Sequence, residues 1–282
     1  MNAATEPAAD PAALRPVTPN AILAARLAAV TARISGAGAA SPEDLAELER
    51  CVALSRDLDP YLERTATPAS PALEALQRAT VLEDWVGRFE DGATAAELEA
   101  EMLSGHVEGQ FLRMLVRISG ATDVLEIGMF TGYATLAMAE ALPAGGRVLA
   151  CELDPFAARV ASEQFSKHAA GERIEIAIEP ASDTLERLVQ EGRSFDLVFI
   201  DADKKGYAAY YDALLDGGLV PVGGLVCVDN TLYQGQVYAA GLETTPNGRA
   251  LADFNANVAA DERVEQVILP LRDGLTLIER VR

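Results

Sequence analysis

From residue 123 to residue 282, short apolar runs rich in β-branched side chains alternate with longer helical patterns, and this rhythm constrains the fold more than any other feature. The strand candidates are VLEI (124–127), RVLACE (147–152), RIEIAI (173–178), FDLVFI (195–200), GLVCV (224–228), VEQVILP (264–270) and GLTLIER (274–280). The helical segments ATLAMAEAL, PFAARVASEQFSKHA, SDTLERLVQE and YAAYYDALL separate the first five. Strand–helix–strand punctuation of this kind builds a parallel sheet with helices on both faces. Only Leu271, Arg272 and Asp273 stand between the last two runs, too few for a parallel crossover, so those strands run antiparallel. The expectation for 101–282 is a Rossmann-like α/β domain of five parallel strands ending in an antiparallel hairpin.

The first hundred residues have a different texture. Residues 1–18 are rich in Ala and Pro without a period and read as a mobile tail, and 19–100 read as a helical extension or lid. Helical patterns start at Pro19-Asn20, run from Pro42 to Leu54 and from Ala72 to Phe89, and extend from Ala95 toward Val116, with Ser41 and Ser70-Pro71 as start signals. Gly105 and Gly109 interrupt the last pattern at SGHVEGQ, which predicts a ligand-facing break before the helix resumes at FLRMLVRI.

Charge and rare residues narrow the chemistry. Forty-three acids against 23 bases give a net charge of −20, which repels phosphate backbones and anionic lipid, so neither nucleic acid nor membrane is an expected partner. Three cysteines without short spacing signal no disulfide framework or thiolate zinc site, and two histidines leave little for a multi-histidine metal centre. With no signal-like start and no apolar run long enough to span a bilayer, a soluble protein of the reducing cytoplasm is expected.

VLEIGMFTGYATLAMAEAL is a strand, a glycine turn and a helix, an arrangement that lets backbone N–H groups approach a ligand. The turn lacks the G-x-G-x-x-G spacing that cradles a pyrophosphate, which disfavours an NAD-dependent oxidoreductase. Glu126 at the strand end followed by Gly128 suits a cationic amino-acid moiety without phosphate, as in S-adenosylmethionine. Glu152, at the end of the second strand, is placed to accept hydrogen bonds from ribose hydroxyls.

FIDADKK puts Asp201 and Asp203 at the end of the fourth strand, and VCVDNTL puts Asp229 and Asn230 at the end of the fifth. If those strands are neighbours, Asp201, Asp229 and Asn230 converge and offer only hard oxygens, a set suited to Mg²⁺, Mn²⁺ or Ca²⁺. Asp203 reads instead as the N-cap of the helix that follows. Lys204 beside the metal is a candidate catalytic group, as a base or as a charge stabiliser. His106, Tyr233 and Gln234 are substrate-wall candidates, from the glycine-bracketed break and the loop 231–247. Trp85 reads as packing.

These residues carry a resemblance. EGQFLRMLV, LEIGMFTGYATLAMAEALP, FDLVFIDADKKGY, VDNTLYQGQV and DGLTLIER, in this order over 102–282, resemble the cation-dependent O-methyltransferase family that includes the caffeoyl-coenzyme A and catechol enzymes. The resemblance implies a class I methyltransferase sheet and a homodimer. It implies S-adenosylmethionine contacts at Met102, Ser104, Glu126, Gly128, Ala134, Glu152, Ala181 and Asp201, metal ligation by Asp201, Asp229 and Asn230, and catalytic roles for Asp201 and Lys204. Glu152 stands where an aspartate is common and Ala134 where a serine is frequent, the latter removing one hydroxyl contact. RPVTPNAILAARL, LDPYLE, LEDWVGRFEDG and LPLRDGLTLIER extend the likeness to the O-methyltransferases of mycosporine-like amino acid biosynthesis, which implies conversion of demethyl-4-deoxygadusol to 4-deoxygadusol. The alternatives are methylation of catechol-like, phenylpropanoid or flavonoid vicinal diols, and a binding module that has kept the fold without the chemistry.

Overall fold

In a computed structural model describing residues 15–37 and 40–282, every strand read from the sequence is present. Most of the Ala- and Pro-rich tail, residues 1–14, lies outside the described residues. In chain order the elements are α1 (Pro19–Ala37), α2 (Pro42–Arg56), α3 (Leu58–Thr65), α4 (Pro71–Leu82), α5 (Trp85–Glu90), α6 (His106–Ser119), β1 (Asp123–Ile127), α7 (Tyr133–Ala141), β2 (Arg147–Glu152), α8 (Pro155–Phe165), β3 (Ile174–Ile178), α9 (Ala181–Gln190), β4 (Leu197–Ile200), α10 (Tyr207–Asp216), β5 (Leu225–Val228), α11 (Pro246–Ala260), β6 (Val264–Leu269) and β7 (Leu275–Arg280).

The sheet order is β3-β2-β1-β4-β5-β7-β6, parallel through β5, with the antiparallel hairpin completing it. The returning strand β7, and not β6, lies against β5. Strand periodicity of two divides the core. Leu125, Ile127, Val198, Ile200 and Val226 point to one face, against α9, α10 and α11. Val124, Val148, Leu197, Phe199 and Cys227 point to the other, against α6 and α7. Central β4 is buried throughout, which explains its unbroken apolar run LVFI. Burying a side chain such as Leu112 or Phe199, both fully enclosed, contributes about 1.5–3 kcal/mol.

The extension shares this core: Ala72, Leu73 and Leu76 of α4 pack with Tyr133, Leu136 and Ala158 of α7 and α8. Ser41 and Ser70 cap α2 and α4 as read, accepting from the backbone of Asp44 and Leu73. Other expectations are corrected. The pattern 72–89 is two helices, because Asp84 accepts from the Gly87 N–H at 3.1 Å and starts α5 afresh. Much of 95–104 is irregular, and α6 runs from His106 straight through Gly109. Gly109 serves packing, since a Cβ there would stand 2.7 Å from the ring of Tyr133. Helices α3 and α11 had not been read; Thr245-Pro246, a cap and first-turn proline, with buried Leu251, Phe254 and Val258, was the available signal for α11.

Candidate active site

The C-terminal ends of β1, β2, β4 and β5 open on one cavity of about 770 Å³, within the range of ~300–1,000 Å³ typical of small-molecule sites. Sheet order explains which side chains meet there. Ile127 is registered with Ile200, and Ile200 with Val228, so the residues that follow are side by side. The Asp201 N–H donates to Ile127 O and the Asp229 N–H to Ile200 O, both at 2.9 Å. Gly128 permits this closeness: its φ is +91°, and a Cβ there would stand 2.2 Å from the Asp201 carbonyl oxygen.

On the β1–β2 side the cavity is lined by Met102, Ser104, Gly128, Glu152 and Ala181. Glu152 accepts from the backbone N–H of Phe130 at 2.5 Å and of Asp154 at 2.8 Å. Burial raises its pKa, against the pull of those backbone donors. Trp85 holds this wall from behind, its ring 4.9 Å from that of Phe130 and its indole N–H donating to Thr80 O. Glu126 and Ala134 lie elsewhere. Glu126 is buried beneath the turn and accepts from the Thr135 hydroxyl, with burial pushing its pKa well up. Ala134 faces the core.

On the β4–β5 side stand Asp201, Lys204, Asp229, Asn230, Tyr233 and Gln234. Lys204 Nζ donates to Asp201 Oδ1 at 2.9 Å and meets the Tyr207 hydroxyl at 2.8 Å. Burial works to lower the lysine pKa, but the charges around it, Asp201 foremost, outweigh this and hold it raised. Asp229 is buried; burial and then the Asp201 charge raise its pKa, and its Oδ1 has no hydrogen-bond partner. Two adjacent carboxylates, one with an enclosed free oxygen, together with the Asn230 amide are a donor set that fits a hard divalent cation. Among the described residues no cluster of three His, Cys, Asp or Glu side chains is placed for a metal, so any such centre here depends on that amide.

Asp203 does not cap α10, whose first turn begins at Tyr207; its carboxylate accepts from the Tyr210 hydroxyl at 2.6 Å. His106 does not line the cavity. Several wall residues were missed. Asp273, in the β6–β7 turn, accepts from the Gln234 N–H at 2.5 Å, and burial raises its pKa to about 7. Arg272 beside it, and Arg15, Val17 and Thr18 ahead of α1, also line the cavity. The DGLTLIER stretch was the available signal for the turn, and RPVTPNAILAARL, which holds Arg15, Val17 and Thr18, carried the likeness without marking them as cavity residues.

Known proteins share this fold. The chain is 39% identical over 182 residues to a caffeoyl-CoA O-methyltransferase of Petunia hybrida, covering 62% of this chain and 74% of that one. It is 34% identical over 229 residues to one of Petroselinum crispum, covering 78% and 88%. Among solved structures, the SAH-bound methyltransferase PaMTH1 of Podospora anserina superposes with a TM-score of 0.69 at 28% identity, over 81% of this chain and 96% of that one. An O-methyltransferase of Bacillus cereus in complex with SAH gives 0.65 at 27%, over 79% and 96%. The O-methyltransferase family model matches residues 77–281, which hold the whole sheet and all four strand tips at the cavity, and the chain belongs to that family.

Proposed function

We propose that the chain moves the methyl group of S-adenosylmethionine, with a divalent cation, to an enolic oxygen of a vicinal enediol, the substrate being demethyl-4-deoxygadusol and the product 4-deoxygadusol. The observation that carries this reading is the single cavity in which Gly128 and Glu152 stand beside Asp201 and Asp229. In it, the glycine turn, Met102, Ser104 and Ala181 wrap the cofactor while Glu152 accepts from its ribose hydroxyls. SAH in the Podospora and Bacillus structures supports the cofactor. Glu126, buried beneath the turn and accepting from the Thr135 hydroxyl, underlies the cofactor site without lining it.

Asp201, Asp229 and Asn230 would hold the cation, preferably Mg²⁺, which when bound supplies Lewis acidity that orients two adjacent substrate oxygens and lowers their pKa. The unpartnered Asp229 Oδ1 supports this assignment. Lys204, fixed between Asp201 and Tyr207, steadies negative charge on the nucleophilic oxygen. In the transfer, the deprotonated oxygen forms the O–CH₃ bond as the S–CH₃ bond breaks, the sulfur retaining the bonding pair and the hydroxyl proton having passed to water. Tyr233 and Gln234 offer polar groups to the ring.

A second reading, a catechol-bearing coenzyme A ester, is favoured by the relatives named caffeoyl-CoA O-methyltransferase. Against it, Val17 and Thr18 from ahead of α1 add to the cavity wall, and a bulky ester needs an open mouth. Methyl-labelled cofactor offered with Mg²⁺ and each substrate class, followed by mass analysis, separates the two: the enediol is expected to be labelled with the higher kcat/KM, and preference for the ester overturns the substrate assignment. The free cysteines among the described residues support a reducing, cytoplasmic setting. Met114 and Ile118, 50% and 76% exposed one turn apart on α6, support a homodimer, which light scattering measures.

A further inference from the structure

Glu108, in the first turn of α6, is buried to 1% exposure, and neither carboxylate oxygen has a hydrogen-bond partner. An enclosed carboxylate without donors is costly unless it balances a charge. The charge is Arg272, whose Nη1 stands 3.7 Å from Glu108 Oε2. That guanidinium is held on one side only. Its Nη1 donates to Leu103 O at 2.9 Å, the one hydrogen bond it makes among the described residues. Gly105 leaves it room, because a Cβ there would stand 2.6 Å from Nη1. Arg272 itself adopts φ +49°, in the left-handed region that favours glycine, so the chain accepts backbone strain to present this side chain. With its side chain 25% exposed, it lines the cavity beside Asp273.

We propose that Arg272, positioned by Glu108, determines specificity by binding a third, negatively charged substrate oxygen that catechols lack. The inference rests on the enediol reading above and deepens it. In a 2,3-dihydroxycyclohex-2-enone three oxygens occupy consecutive ring carbons, and loss of the O3 proton spreads its charge equally over the two outer oxygens. When the middle oxygen and one outer oxygen lie toward Asp201 and Asp229, the other outer oxygen keeps its share of charge and requires a cationic donor. Arg272 offers one, from the β6–β7 turn. A catechol has two adjacent oxygens and leaves the guanidinium unused. Glu108 keeps Arg272 from collapsing onto Asp229, which attracts the same guanidinium.

The test is calorimetric binding of 2,3-dihydroxycyclohex-2-enone and of catechol to SAH-loaded protein with Mg²⁺, comparing wild type, Arg272→Gly, Arg272→Lys and Glu108→Gln. Glycine suits the local φ, so Arg272→Gly removes the charge and relieves the backbone; Arg272→Gln is read the same way should that variant fail to bind SAH. Loss of a charge-assisted hydrogen bond should weaken enediolone binding roughly 10- to 100-fold and leave catechol within about threefold, with partial recovery in Arg272→Lys and a smaller loss in Glu108→Gln. Equal weakening of both probes, or none, overturns the assignment while the enediol reading stands. Wild-type protein that binds catechol and not the enediolone overturns both.

Discussion

Asp201 joins three features of the site: its carbonyl packs against Gly128, its carboxylate accepts from Lys204, and its neighbour across the sheet is Asp229. Two negative charges so placed need cations between or beside them, and Lys204 and Arg272 are the cations of this chain that bear on Asp229. The proposed cation would add to them, which ranks the residues. Removing a ligand with Asp201→Ala should lower kcat/KM by roughly 10³-fold or more, whereas Lys204→Met, which removes one stabilising charge, should cost about 10²-fold. Steady-state kinetics on both variants checks the order, and equal losses contradict it. At this scale the strand-tip acids were legible because short apolar runs end in them, FIDAD and VCVDN. Arg272 and Asp273 were not, because a three-residue turn has no periodicity and its chemistry depends on the helix opposite.

Among elements, the joint between α10, α11 and β6 gathers on Arg263, which pairs with Asp216 and with Asp261. Asp261 accepts from Arg263 at 2.7 Å and from the Tyr211 hydroxyl at 2.9 Å, and the guanidinium foremost holds its pKa down to about 2. A depressed carboxyl contributes stability that is fully present above its unfolded pKa, near 3.9, and is lost as pH falls through the folded value. Because Arg263 is 39% exposed, the contribution is discounted for screening to about 1–2 kcal/mol. Asp261→Asn should therefore be less stable than wild type by about that amount at pH 7, the gap closing between about pH 4 and 2; urea unfolding at both ends measures it, and a constant gap contradicts the assignment. The central strands were readable because burial on both faces leaves an unbroken apolar run in residue type. The break after Leu82 was not, since it depends on Asp84 preferring a backbone N–H to helical continuation. Gly109 misled for a related reason: it answers to Tyr133 across a helix interface, which no local pattern records.

For the whole molecule, the net charge of −20 concentrates cations around a cavity that is itself acidic. Seven strands and four tips were expected at one end of a sheet, and they are there. The contribution of the N-terminal segment could not be read from local pattern, because Arg15, Val17 and Thr18 are held at the cavity by long-range contacts, α1 against the turn at 233–235, Arg15 with Glu99 and Glu101, and Thr18 with Asp59. No helix among the described residues is long and apolar enough to cross a membrane. On the proposed reading the two halves of the cavity make one demand on the whole protein, that a dication be present for the methyl group to move. Transfer of labelled methyl to demethyl-4-deoxygadusol, assayed after EDTA treatment and again after Mg²⁺ is returned, tests that demand. Product formation should stop with the chelator and recover with the metal; turnover that continues undiminished in EDTA contradicts the account.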